Sequence, residues 1–222
     1  MKRNINIEEI SDGNLYGVND LVKVSCDGCR GKASCCHGMG NSIVLDPYDI
    51  YRILKNLDVR FEALLGDKIE LNLVDGIILP NLKMSGKDEA CEFLNQNGRC
   101  SIHQSRPGIC RIFPLGRIYE NRSFKYFHQI NECPNTSNTM VCINKWINTE
   151  DYKKYEQFLI DWHYFLNDIE ECIKQAKEDA YVKNINMYIL NQFYLKGYKE
   201  DSDFYEEFYS RLDHGKEISK IK

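Results

Sequence analysis

Eight of the ten cysteines in this chain fall between residues 26 and 133, in two groups whose spacing suits metal binding. The first is Cys26-x2-Cys29-x5-Cys35-Cys36; the second is Cys91-x8-Cys100-x9-Cys110, with Cys133 after twenty-two more residues. A C-x2-C turn brings both sulfurs to one side of a tight loop, which suits tetrahedral zinc or one corner of an iron–sulfur cluster. Four-sulfur coordination serves both, so Cys26, Cys29, Cys35, Cys36, Cys91, Cys100, Cys110 and Cys133 are all candidate metal ligands. A zinc ribbon would repeat C-x2-C, and a bacterial ferredoxin would read C-x2-C-x2-C-x3-C-P; only Cys133-Pro134 echoes the latter. An iron–sulfur cluster, of the 4Fe-4S type or another, and zinc are both expected cofactors. Iron–sulfur comes first because neither group forms paired C-x2-C knuckles. The Cys35-Cys36 doublet is awkward for a single ion, since successive side chains of extended backbone point to opposite sides. It serves two sites, forms a redox disulfide, or divides into one ligand and one buried thiol.

Basic residues gather beside the second group. Between residues 99 and 125, Arg99, Arg106, Arg111, Arg117, Arg122 and Lys125 are opposed only by Glu120. Guanidinium groups stabilise the net negative charge of thiolate–metal sites, and Arg106 and Arg111, flanking Cys110, are the candidates for contact with the cofactor. The same surface suits an anionic substrate, or no partner at all. His103 stands three residues after Cys100; with eight thiols present it is expected to hydrogen-bond beside the ligands, as is His37. Cys142 is left open, and Cys172 is expected on the apolar face of a long helix. No serine nucleophile motif, Walker loop or HExxH pair occurs.

The elements that must hold these residues follow from turn and cap signals. The chain has 222 residues with a net charge of −4, enough to bury a core without metals or disulfides. The mild acidity argues against a nucleic-acid partner. No segment of signal-peptide length opens the chain and no apolar run spans a membrane, so the reducing cytoplasm is the expected compartment. Residues 1–25 read as an irregular lead-in with a turn at Asp12-Gly13-Asn14, and the first cysteine group reads as a glycine-rich loop. Asp46-Pro47 starts a helix to about Leu57. A short second helix around Phe61 to Leu65 should end at Gly66. Hairpins are expected across Asp75-Gly76, across Asn95 to Gly98 and across Glu120-Asn121-Arg122. From Glu150 the apolar residues recur at spacings of three and four, giving a long helix, then helices over about Ala180 to Leu195 and Asp203 to Leu212, and a frayed tail. The fold class expected is α+β: a small cysteine-rich hairpin and loop region packed with a C-terminal helical layer. The division expected is a metal-binding domain over 1–145 and a helical extension over 146–222.

Cys26-x2-Cys29 with Cys35-Cys36, Cys91-Glu92-Phe93-Leu94, Gly98-Arg99-Cys100-Ser101-Ile102-His103 and Arg106-Pro107-Gly108-Ile109-Cys110-Arg111-Ile112-Phe113-Pro114 resemble the YkgJ-type cysteine cluster family over about residues 20 to 145. That family is described as a zinc- or iron-chelating domain related to flagellin lysine methylases. The resemblance implies a metal-binding domain with ligands at Cys26, Cys29, Cys35, Cys36, Cys91, Cys100 and Cys110, and at Cys133 by a looser alignment. The expected partner is therefore a metal ion or cluster, with a protein partner left open. The rival reading is a metal-cluster-dependent enzyme of the methyltransferase or redox type, for which the sequence supplies no complete reactive site.

Overall fold

Cap and turn chemistry sets most element boundaries. The computed structural model describes residues 6–24, 34–133, 139–199 and 201–219. In chain order, α1 (Ile7–Ile10) leads into β1 (Ser11–Tyr16) and β2 (Leu21–Lys23); α2 (Pro47–Leu57) precedes the hairpin of β3 (Ile69–Val74) and β4 (Ile77–Leu82). Next come β5 (Met84–Ser85), β6 (Ala90–Cys91), α3 (Gly108–Ile112), β7 (Leu115–Glu120), β8 (Ser123–Gln129), β9 (Met140–Cys142) and α4 (Ile143–Ile147). Three longer helices follow: α5 (Tyr152–Gln175), α6 (Asp179–Leu190), which continues into a π-helical turn (Asn191–Leu195), and α7 (Phe204–Ser219). The chain is mixed α and β with a C-terminal helical region.

The described residues of Asn41–Lys83 and Asp161–Lys222 form one compact unit, and those of Lys2–Gly40 and Met84–Ile160 the other. In the first, the Asp46 carboxylate accepts the Asp49 N–H at 2.7 Å and the Asp49 carboxylate accepts the Asp46 N–H at 3.3 Å, with Pro47 starting α2 as expected. Asp75 and Gly76, at φ 52° and 84°, supply the left-handed pair that a two-residue hairpin turn requires between β3 and β4. Residues 43–45 run along β4, with Leu45 N–H on Pro80 O at 2.8 Å and Leu82 N–H on Ile43 O at 3.0 Å. The core is aromatic: Phe193 and Phe208 have no exposed surface, and Phe193 lies 4.9 Å from Trp162 and 5.8 Å from Phe208 between ring centroids. Buried Asn186 donates to Gly76 O at 3.1 Å and accepts the Ile78 N–H at 2.6 Å, tying α6 to the hairpin.

The second unit holds an antiparallel sheet in the order β1-β8-β7, the pair β2-β9, and the pair β5-β6. The expected third hairpin forms with Asn121 and Arg122 both at positive φ, 51° and 52°. Gly116 on β7 has no room for a side chain, because a Cβ would lie 2.3 Å from the Phe127 ring.

Four expectations need correction. The lead-in is not irregular: Asp12-Gly13-Asn14 forms a bulge inside β1, where the Asp12 side chain accepts the Asn14 N–H at 3.1 Å while the strand continues along β8. The hairpin across Asn95 to Gly98 reduces to one bridge, Leu94 with Cys100. There the Asn95 side chain accepts the N–H groups of Asn97 and Arg99, both at 3.0 Å, and the chain then turns into a 3-10 segment, His103–Ser105, before a second ladder step can form. The short helix after Arg60 is a single 3-10 turn, Phe61–Ala63. The helix expected to end near Leu212 runs on to buried Ser219, whose hydroxyl donates to Gly215 O at 2.7 Å.

Candidate metal centre

All the candidate cysteines that the structure describes lie in the second unit. Cys26 and Cys29 lie outside the described residues. Cys35 and Cys36 occupy a 3-10 turn, Ser34–Cys36, held onto β6 by its backbone: His37 bridges Ala90, and the Gly38 N–H reaches Glu89 O at 3.0 Å. Gly38 stands at φ 64°, a conformation that glycine adopts without strain. Cys91 is buried on β6, paired across from Met84, and the Leu94–Cys100 bridge brings the half-buried Cys100 back beside this strand. Cys110, half-buried, lies within α3, and Cys133, also half-buried, follows β8.

Four of these thiols influence one another. Cys35 and Cys36 have their sulfurs 3.9 Å apart and share a hydrogen bond that either thiol can donate; with the proton on Cys36, Cys35 is the acceptor. That bond outweighs burial and, helped by the Arg106 guanidinium, lowers Cys35 to about 7. Cys36 is pushed up, first by holding that proton, then by burial and by the negative charge that Cys35, Cys100 and Cys91 bring when ionised. Burial raises Cys91 and Cys100 as well. Each has a counterweight of one kind: the backbone N–H two residues ahead, of Phe93 for Cys91 and of Ile102 for Cys100, is directed at its sulfur and favours the thiolate. Arg106 also favours the Cys100 thiolate. Among the described residues, no three Cys, His, Asp or Glu side chains converge closely enough to hold a metal ion.

The arginines are tied into the same loop. Arg106 Nη1 donates to His103 Nε2 at 2.9 Å; since arginine only donates, that ring nitrogen is the acceptor. Burial first, then the positive charges of Arg106, Arg111 and Arg99, keep His103 below its ordinary value and hence neutral. Arg111 is buried and donates through Nη2 to Gln104 O at 2.8 Å and Arg106 O at 3.4 Å, bracing the backbone between Cys100 and Cys110. His37 Nδ1 lies 3.4 Å from Asp88 O. Cys142 ends β9, its thiol 3.6 Å from Val18 O. Cys172, in the other unit, is half-buried with its sulfur 4.0 Å from Ser219 O. Sequence reasoning missed the N–H groups of Phe93 and Ile102 because backbone direction has no residue signature, and missed the docking of the doublet on β6 because one bridge carries it.

The chain thus combines a mixed α and β fold with loops rich in thiols, a soft donor type suited to metal binding. The match is to the CxxCxxCC family, described as a "Putative zinc- or iron-chelating domain", over residues 25–137. The chain belongs to this family, and metal chelation, of zinc or iron, is what the family description assigns to the domain. No curated protein and no solved structure matches the chain. The spacing here is C-x2-C-x5-C-C, longer between the second and third cysteines than the family name spells out.

Proposed function

We propose that this chain is a cytoplasmic cysteine-cluster protein that holds an iron–sulfur cluster or zinc through Cys26, Cys29, Cys35, Cys36, Cys91, Cys100, Cys110 and Cys133, with Arg106 and Arg111 bracing the site. One observation carries the reading: the His37–Ala90 bridge sets the Cys35-Cys36 turn, its sulfurs 3.9 Å apart, against the strand that carries Cys91, and the Leu94–Cys100 bridge returns Cys100 toward the same place. The donor chemistry fits the group, because buried thiols that ionise when a cation arrives are the ligands of both zinc and iron–sulfur sites. Bound zinc would organise the loops, and a bound cluster would in addition carry electrons. This chain's residues supply the negative sulfurs, the N–H groups of Phe93 and Ile102 that stabilise them, and a positive charge at Arg106 that limits their mutual repulsion. The reducing compartment follows from the same assignment, since eight ligand thiols must remain unoxidised.

Anaerobic purification with metal and acid-labile sulfide analysis tests this. Zinc at stoichiometric occupancy, or iron with sulfide and a broad visible absorbance, is expected; native protein with neither would sink the proposal. Cys29→Ala and Cys110→Ala should lower metal content while Cys172→Ala leaves it intact, and the reverse order would mean that ligands and packing cysteines are wrongly divided.

A further inference from the structure

A cavity of about 570 Å³ opens in the aromatic unit, between the C-terminal half of α2, the turn after it and the π-helical turn after α6. That volume is in the range that receives small organic molecules. Its apolar lining includes the buried residues Ile50, Phe61 and Tyr194. Tyr194 sends its hydroxyl to Leu45 O at 3.1 Å, leaving the ring rather than the oxygen for a guest. Tyr51 and Tyr198 also line it, edge to face with centroids 5.9 Å apart.

Two features of this unit point to a preformed site. The helix after Leu190 widens to π geometry, a distortion frequent at functional sites. Buried Arg211 holds that turn in place, donating to the carbonyls of Gln192, Lys196 and Gly197 at 2.6, 2.7 and 2.8 Å while its guanidinium lies 3.9 Å from the Tyr198 ring centroid. Lys55 lies over Tyr51 in the same way, at 5.6 Å. Cations of the protein thus already use both tyrosine rings, so a purely cationic guest has little to gain there. Four residues of alternating sign, Lys55, Asp58, Arg60 and Glu62, complete the lining, all of them exposed. Among the described residues, no ion pair or hydrogen bond engages the side chains of Asp58, Arg60 or Glu62.

We propose that this cavity binds a free α-amino acid with an aromatic side chain, its ring among Phe61, Tyr194 and Tyr198, its carboxylate toward Lys55 and Arg60, and its ammonium toward Asp58 and Glu62. The charge balance selects the class. A simple anion meets Asp58 and Glu62, a simple cation meets Lys55 and Arg60, and an uncharged ring leaves all four unused; a zwitterion is complementary to both pairs. The inference is independent of the metal reading, since none of its residues is a candidate ligand.

Calorimetric titration of the full chain with L-tryptophan and L-phenylalanine tests it, with N-acetyl-L-tryptophanamide, indole and L-alanine as comparison probes. Saturable binding of the two aromatic amino acids is expected, at least about tenfold weaker for the two uncharged ring compounds, and absent for L-alanine. Arg60→Ala, an exposed change, should weaken L-tryptophan binding about tenfold. Gly197→Phe, at a lining position where a Cβ meets no atom within 4 Å, should weaken binding by adding bulk beside the cavity without lowering Tm. Absence of saturable binding, equal affinity for the uncharged compounds, or affinity unchanged in Arg60→Ala overturns the proposal; so does undiminished binding by folded Gly197→Phe. Metal analysis of the same samples keeps the two readings apart: a metal-free protein that binds tryptophan sinks only the thiolate proposal.

Discussion

The two compact units solve the problem of holding a chain together in different ways. The aromatic unit does it by burial: Trp162, Phe165, Phe193 and Phe208 pack as tilted rings, and buried Asn186 and Arg211 beside them donate to backbone carbonyls. The cysteine-bearing unit has a well-paired sheet in β1, β8 and β7, yet its thiol loops are joined by a two-residue ladder and single bridges. Phe93, Ile102 and Ile112 anchor these loops by burial, and the proposed metal would add to what that burial supplies. Four mutually influencing thiols lie among these loops. The contrast teaches that side-chain volume organises the first unit by itself, whereas in the second the proposed ligand chemistry would supplement a smaller share of packing around the thiols.

The contrast breaks most sharply by emptying the aromatic core. Phe193→Ala removes a fully buried ring and should cost about 3–5 kcal/mol in chemical denaturation, while metal stoichiometry of the folded fraction stays unchanged. Loss of metal in parallel with stability would show that the two devices are not separate. Next in size is metal removal. A ligand present at a hundred to a thousand times its dissociation constant adds about 3–4 kcal/mol to the folded state, and a strong chelator should take that away, lowering Tm. If Tm holds after metal analysis confirms removal, the loops do not depend on the ion.

Arg111 probes the join between both kinds of stabilisation, because it is buried yet spends its hydrogen bonds on the loop ahead of Cys110. Arg111→Ala should cost about 1–3 kcal/mol and lower metal occupancy with it. Arg111→Lys keeps the charge but loses the planar fork, and should fall between the two. Unchanged Tm and occupancy in both variants would show that Arg111 supports neither the loop nor the proposed site.

The smallest effect is the pH dependence, and its sign differs between the metal-free and metal-bound protein. Burial raises Cys91 and Cys100 in the folded state, so without metal their contribution to stability is complete below the ordinary thiol value and is lost as pH rises through the raised one. Cys35 is lowered to about 7, so its contribution is present above the ordinary thiol value and fades as pH falls through about 7. Metal binding requires all of these as thiolates, hence apparent affinity should rise with pH across neutrality as bound protons are displaced. Titrating metal affinity at several pH values with a competing chelator reads this directly, and a flat profile between about pH 6 and 8 would contradict thiolate ligation.

Much of this was legible in the residues themselves, for reasons that are local. Asp46-Pro47 starts α2, Asp75-Gly76 turns the hairpin, and the apolar spacing from Tyr155 onward makes α5, because caps, positive-φ turns and helical periodicity act over a few neighbouring residues. The family is legible in the same way, since the cysteine spacings and the Arg106 to Pro114 run are linear features. Where local chemistry has two uses, it misleads: Asp12-Gly13-Asn14 carries turn residues but becomes a bulge once β8 lies alongside. Pairing across long separations was beyond reach for the same reason. Only the tertiary structure joins residues 41–83 with the C-terminal helices, sets His37 against Ala90 so that the cysteine doublet lies near enough to Cys91 and Cys100 to influence them, and brings the Arg106 charge within reach of Cys35 and Cys100. Those choices depend on which surfaces can be buried together and which polar groups find partners there, and neither quantity is a property of any short stretch of sequence.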